Sequence, residues 1–271
     1  MNSAALIQDI GRLESSPDRP RPVVLPTCNG VRRHPNLTAL LALLLRRYGI
    51  PVLVHGPASA GKFASVAAGE AGDADEPGAA RRGRITTLVV LGQLGIEPAG
   101  SLAQAQASLD RDRIAYVPAA VLTPGLPRLL GNRARPGVRP PLHSLAELID
   151  PFGGDAYRVV SVAHSDSLRR MREFFTATRA NAMLLRGTEG EPFANPRRMP
   201  RLEHFANGVA TVCAEAEAGT LDAVPRLPAT IDAAATAAWI VQALAGEVPV
   251  PQSIIAQLGC CLAGTRRALL M

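Results

Sequence analysis

Short apolar runs alternate along this chain with longer apolar or amphipathic blocks, separated by glycine, proline and small polar residues. The run VVLP breaks into Thr27-Cys28-Asn29-Gly30, the pattern of a buried strand entering a turn. Residues 37–48 are too apolar and too long for a strand and predict a helix, with Asn36 as its N-cap and Gly49 and Pro51 as its stop. IPVLVHG follows as a second strand, so residues 23–56 read as strand, loop, helix, strand. A polar, glycine-containing loop in that place presents backbone N–H groups to an anion at the helix start.

The same reading predicts helices at 85–94 and 101–109, a strand at 114–117, helical fragments around Leu126 and Leu145, and a β-branched strand at 157–162. Asp166 is expected to cap a helix whose Leu168, Met171, Phe174 and Phe175 form an apolar stripe, with Arg169, Arg170 and Arg172 solubilising the other side. A strand at 182–185, the loop RGTEGEPFANPRRMPR and helices at 231–245 and 252–262 complete the pattern. Residues 1–16 predict a short helix carrying Ile7, Ile10 and Leu13, residues 17–22 a rigid linker, and the Ala/Gly-rich tract 57–83 a solvated loop of low order. Strands alternating with helices predict an α/β domain with a largely parallel central sheet.

At 271 residues and 47% hydrophobic, the chain can bury a sizeable interior in one or two domains. No apolar run reaches the roughly 18 residues of a membrane span. Residues 1–16 lack a basic stretch followed by an apolar core, so neither a membrane partner nor a signal peptide is expected. Cys28, Cys213, Cys260 and Cys261 show no metal spacing, and the expectation is reduced thiols in a cytoplasmic chain. Net charge is +6, and Lys62 is the only lysine among 29 basic residues. GC-rich coding accounts for arginine in place of lysine but not for the positive excess, which leaves a polyanionic partner open.

GPASAGKF, residues 56–63, matches the GxxxxGK phosphate loop, yet Phe63 stands where Ser or Thr would hold magnesium. With no second magnesium site in view, nucleotide hydrolysis is not the expected reading.

Residues 123–151, TPGLPRLLGNRARPGVRPPLHSLAELIDP, resemble without gaps the segment HPAxxxxxxxRxxLGxRTxxNxLGPLxNP of the anthranilate phosphoribosyltransferase family, the glycosyltransferase family 3 fold. Arg133 falls on the arginine that contacts the aromatic acceptor, and Pro124, Gly137, Arg139, Leu145 and Pro151 keep step. RVVSVAHSDSLRRMREFF is similar to the family's strand, His-Pro and helix, and LLRGTEGEP to its HGxDGxDE. The resemblance implies an α/β, phosphoribosyltransferase-like fold of the nucleoside phosphorylase/phosphoribosyltransferase catalytic-domain type. Its central, mostly parallel sheet would be flanked by helices, with an incomplete N-terminal helical subdomain at 1–19 and the main domain at 20–271. The family's helical domain makes the usual dimer contact, so a homodimer is implied, with an interface the short N-terminal region leaves incomplete.

Several functional positions depart from the family. Its GTGGD becomes PTCNG at 26–30, its KHGNR becomes VHGPA at 54–58, and Thr123 replaces the acceptor-site histidine. The magnesium-holding Asp-Glu pair becomes Glu191-Pro192, with Glu189 two positions earlier. Losing loop glycines, charge-neutralising side chains and a metal ligand together leaves little for pyrophosphate departure, each at ~10²–10³ in rate. Anthranilate transfer is therefore not expected.

PTCNGVRRHPNLTALLA, IPVLVHG, LLRGTEGEP and AGEVPVPQSIIAQ together resemble the YbiB-type branch of the family, regarded as nucleic-acid binders. This implies binding of DNA or RNA backbone phosphates by Arg32, Arg33, Arg186, Arg197, Arg198 and Arg201, with no catalytic residue and no cofactor. Thr27, Asn29, Gly30, Asn36, Thr38, His55, Gly56 and Arg133 would form a vestigial phosphate and substrate site. The alternative is a glycosyl- or phosphoribosyltransferase of altered substrate using Asn36, Thr38, Arg133 and Glu189, with magnesium on Glu189 and Glu191. Against both stands a plain reading: solvated arginine faces, structural His55, His143 and His164, a Cys28 with no base beside it, and Trp239 in the core.

Overall fold

The computed structural model describes residues 10–27, 30–58, 83–125, 147–162, 164–220 and 225–267. Seven strands form one sheet: β1 (Val23–Pro26), β2 (Val52–Gly56), β3 (Ile114–Pro118), β4 (Tyr157–Val162), β5 (Ala182–Arg186), β6 (Leu202–Ala206) and β7 (Val209–Ala214). They lie in the order β3-β2-β1-β4-β5-β6-β7, with β1 to β5 mutually parallel, β6 antiparallel to β5, and β7 antiparallel to β6. The order reverses between β1 and β4. Beyond the carboxyl ends of the strands at such a switch point, open α/β sheets form their ligand crevice.

Strand alternation sorts the core onto two faces. Val23, Leu25, Val52, Val54 and Met183 pack with α1 (Thr38–Arg47), α2 (Thr87–Gln93), α6 (Ala233–Ala245) and α7 (Gln252–Gly264). On the opposite face Val24, Leu53 and Val117 meet α3 (Leu102–Asp112) and the short α4 (Ala119–Leu122), while Val160, Leu184 and Phe205 meet Phe175 of α5 (Ser165–Ala177). With helices on both faces, the parallel strands are nearly unbroken apolar runs, which makes them visible in the sequence.

Five expectations change. The N-cap of α1 is Leu37, one residue later than the expected Asn36, which instead accepts the Thr38 N–H at 3.2 Å through its side chain. At α5 the N-cap is His164, so Asp166 lies inside the first turn, and of the expected stripe only Phe175 is fully buried. Residues 10–16 are not helical. They run as irregular chain docked by Gly11 N–H to Leu122 O (2.6 Å) and Leu13 N–H to Pro151 O (2.9 Å). The β6–β7 hairpin adds two strands to those expected; it turns at Asn207-Gly208, both at positive φ (49° and 81°), the conformation of a two-residue hairpin turn. Finally, Cys213 and Cys260 form a disulfide between β7 and α7 with Cα atoms 6.2 Å apart, in place of the expected reduced thiols.

Residues 1–9, the tract 59–82 and the fragments around Leu126 and Leu145 lie outside the described residues. No described helix is long and apolar enough to cross a membrane.

Candidate functional site

The loop leaving β1 is folded by its neighbours. Thr27 prolongs the β1–β2 ladder, its N–H (2.7 Å) and hydroxyl (3.0 Å) both donating to His55 O. Gly30 has φ +68°, and a Cβ there would lie 2.6 Å from Ile85 O, so only glycine fits. Val31 and Ile85 exchange backbone hydrogen bonds, and Arg84 Nη1 donates to Gly30 O at 3.0 Å. Asn36 completes the clamp: its Nδ2 donates to Ile85 O (3.1 Å) and its Oδ1 accepts from Thr87 Oγ1 (3.3 Å).

The donors that this loop turns into the crevice meet two carboxylates from the turn after β5. Glu191 Oε1 accepts the Gly30 N–H at 2.8 Å, and its Oε2 accepts from Thr87 Oγ1 at 3.0 Å. Glu189 Oε2 accepts the Arg32 N–H at 2.9 Å; its Oε1 accepts the Arg33 N–H at 2.8 Å and lies 3.1 Å from His34 Nδ1. Burial works to raise the Glu189 carboxyl, but the His34 hydrogen bond, the Arg33 and Arg32 N–H groups and the charge of His34 outweigh it and hold the group at about 2.

The turn itself is braced. Ser161 Oγ donates to Gly190 O at 2.8 Å, and Thr188 donates to Phe193 O through its N–H (3.1 Å) and its hydroxyl (3.0 Å). From α7, Gln257 donates Nε2 to Pro192 O (3.0 Å) and accepts the Ala194 N–H (2.7 Å). Thus the N–H groups that the sequence is expected to offer an anion are hydrogen-bonded to the protein's own carboxylates.

Magnesium with a sugar diphosphate, as the fold family implies, does not fit these residues. All four oxygens of Glu189 and Glu191 face N–H or O–H donors, so protons converge where a cation would need lone pairs. No group of three His, Cys, Asp or Glu able to hold a metal occurs among the described residues.

The predicted arginines divide. Arg32 and Arg33 have their backbones fixed by Glu189 and their side chains exposed, and Arg186 ends β5 on the same edge of the sheet, also exposed. Arg197 is exposed in a turn closed by its N–H on Asn195 Oδ1 (2.9 Å). No ion pair engages these four among the described residues. Arg198 is exposed but donates to Gly219 O at 2.9 Å. Arg201 corrects the expected ridge: it pairs with Glu203 (2.9 Å) and Glu215 (3.3 Å). Arg172, expected only to solubilise its helix, grips both Glu203 oxygens at 2.7 Å.

Of the vestigial site, Thr27, Gly30, Asn36 and Thr38 are buried structural residues, and Gly56 is required because a Cβ would collide with Thr27 and the Tyr116 hydroxyl. His55 is 1% exposed, with Nε2 lacking a partner among the described residues, and burial lowers it to about 4, so it sits neutral and out of reach of a solvent-borne ligand. Cys28, Asn29, Arg133, Arg139, His143 and Lys62 lie outside the described residues. Sequence reasoning gives no role to Thr87, Arg84, His34 or Gln257. Gln257 has a signal, as the last residue of AGEVPVPQSIIAQ; the other three make contacts over long sequence separations that no local pattern marks.

No protein-family model matches the chain. It is 36% identical over 253 residues to YbiB of Escherichia coli (strain K12), an uncharacterised protein, over 92% of this chain and 71% of that one. Among solved structures, anthranilate phosphoribosyltransferase from Thermus thermophilus superposes with a TM-score of 0.65 at 18% identity, covering 97% of this chain and 72% of the enzyme. The Saccharomyces cerevisiae enzyme in complex with PRPP and Mg gives a TM-score of 0.59 at 14% identity, covering 97% and 70%. At those identities the likeness is one of fold.

Proposed function

This chain belongs to the YbiB family, built on the anthranilate phosphoribosyltransferase fold, and from that premise we propose that it binds nucleic acid without sequence preference. Arginine side chains at the carboxyl edge of the sheet would contact backbone phosphates, which position a strand without reading its bases. One observation carries the reading: the loop's backbone donors are taken up internally while the guanidinia of Arg32 and Arg33 stand exposed. Arg186, Arg197 and a net charge of +6 extend the same potential. Phe175, Phe193, Phe205, Tyr116 and Tyr157 are fully buried, and the exposed Tyr48 and Phe174 stand at the far ends of α1 and α5, away from these arginines, so base stacking contributes little.

Fluorescence anisotropy with a labelled oligonucleotide tests this. If four arginines each neutralise a phosphate on a single strand, affinity falls with a log–log salt slope of about −3. A slope near zero contradicts the reading. The transferase alternative requires Asn36, Thr38 and Glu189 to face a substrate, whereas each is buried or already hydrogen-bonded. Calorimetry with phosphoribosyl diphosphate and magnesium separates the two: heat of binding supports the transferase.

A further inference from the structure

We propose that Cys213 and Cys260 are a thiol–disulfide modification site, and that the bond between them pins an acidic strap, residues 215–219, onto the basic loop 197–201. A dithiol reductant opens the bond, lets the strap lift and frees the Arg198 guanidinium for a polyanion. The inference rests on the nucleic-acid reading and adds its regulation.

Three observations carry it. The first is where the two sulfurs stand. Cys213 is exposed on β7, the edge strand of the sheet, whereas Cys260 is buried in α7. The strand register shifts at this point: Leu202 pairs with Ala214 and Glu203 with Val212, which leaves Cys213 as the extra residue of a bulge. A bulge re-aims its side chain out of the ladder, and this one delivers its sulfur to the helix. A thiolate in solvent therefore reaches Cys213 Sγ and not its partner. The neighbouring Cys261 is buried, and burial pushes its thiol up, so it stays protonated and does not compete in the exchange.

The second is what the strap covers. Glu217 donates its N–H to Met199 O (3.0 Å) and accepts the Met199 N–H on Oε2 (2.8 Å). Gly219 O takes Arg198 Nη2 at 2.9 Å, and Glu215 Oε2 pairs with Arg201 at 3.3 Å. The sequence EAEAG thus lays two carboxylates on PRRMPR, and its backbone occupies a guanidinium otherwise available to a phosphate.

The third is how the strap is anchored. Residues 215–219 are exposed, and ion pairs at such positions are weak. A single rung of the ladder, Leu202 with Ala214, lies between the bulge and the strap. On the other side of the bond, Cys260 stands about one turn after Gln257, which fixes Pro192 and Ala194 ahead of the same loop. The disulfide joins the two clamps by which this loop is held.

In the opening reaction one thiolate of a dithiol attacks Cys213 Sγ; the Sγ–Sγ bond breaks, and Cys260 leaves with the electron pair and takes up a proton. The second thiolate then displaces Cys213, leaving the reductant as a cyclic disulfide and the protein with two thiols. Glutathione disulfide restores the bond by the reverse exchanges and is released as two thiols.

The test compares the full chain after dithiothreitol and after glutathione disulfide, with the state of Cys213 and Cys260 read by alkylation and mass spectrometry. Amide exchange at Met199 and at residues 215–217 is expected to be about tenfold faster in the reduced chain. A single-stranded oligonucleotide binds the reduced chain about threefold more tightly at low salt, with a log–log slope steeper by about 0.7, the effect of one added phosphate contact. Cys213→Ser, a change at an exposed position, behaves as the reduced chain under both treatments. Free Cys213 and Cys260 after glutathione disulfide overturn the inference, and so does equal exchange in the two states. Equal oligonucleotide affinity in both states, or a Cys213→Ser variant that still responds to dithiothreitol, overturns it as well. If neither state binds the oligonucleotide, the nucleic-acid reading falls, while the exchange rates still decide whether the disulfide holds the strap.

Discussion

The Arg33 backbone N–H donates to Glu189 Oε1 at 2.8 Å across 156 residues of sequence. That contact joins the loop after β1 to the turn after β5, and it separates two capacities of one residue. The backbone donor is turned inward and satisfied, whereas the guanidinium is left outside.

Replacing Glu189 with Gln destabilises the fold at neutral pH, by about 1–3 kcal/mol for charge-assisted hydrogen bonds within a partly buried loop. Because the folded-state value of about 2 lies below the ordinary 4.5, this stabilisation is complete above pH 4.5 and is lost as pH falls toward 2. Urea unfolding of both proteins at several pH values checks it: their midpoints differ at pH 7 and converge in strong acid.

His55 imposes a second, higher window. Its folded-state value near 4 lies below the ordinary 6.5, so the unfolded chain takes up the proton first. Stability is full above pH 6.5 and declines as pH falls toward 4, by on the order of 3 kcal/mol for a fully buried group. His55→Leu reduces the pH dependence between those values and leaves the share of His204, which burial also lowers, as denaturant unfolding measures.

Gln257→Ala leaves the Ala194 N–H and the Pro192 carbonyl without their partner in a buried turn. We expect a loss of about 2–4 kcal/mol in thermal or urea unfolding. Amide exchange should accelerate across residues 187–193, the segment that aims Glu189.

Arg201→Ala removes an exposed partner of Glu203 that Arg172 continues to hold. Stability changes by about 1 kcal/mol or less, and oligonucleotide affinity stays within about twofold, because that guanidinium is already neutralised. A large loss of affinity would return Arg201 to the interface.

How much of this is legible in the sequence depends on how local each signal is. The β1–α1–β2 unit can be read because its apolar runs and breakers are contiguous. The β6–β7 hairpin carries the Asn207-Gly208 turn signal, but its strands are easily passed over between a long loop and two clear helices. The Cys213–Cys260 pair depends on β7 packing against α7, which no spacing encodes. In the site, the loop's capacity to hold an anion is legible from its glycine and position. That the anion is Glu189 is not, because this requires knowing that β5 lies two strands from β1. The same lack of tertiary context makes Arg201 look like Arg197, since only the folded chain brings Glu203 and Glu215 to it.

The most direct test of an interior filled by carboxylate and an exterior carrying free guanidinium charge is the salt dependence of single-stranded oligonucleotide binding by the parent and the Arg32→Ala/Arg33→Ala variant. The account predicts weaker binding by the variant at low salt, with a log–log slope shallower by about 1.4, two phosphate contacts at roughly 0.7 each. An unchanged affinity and slope would contradict it.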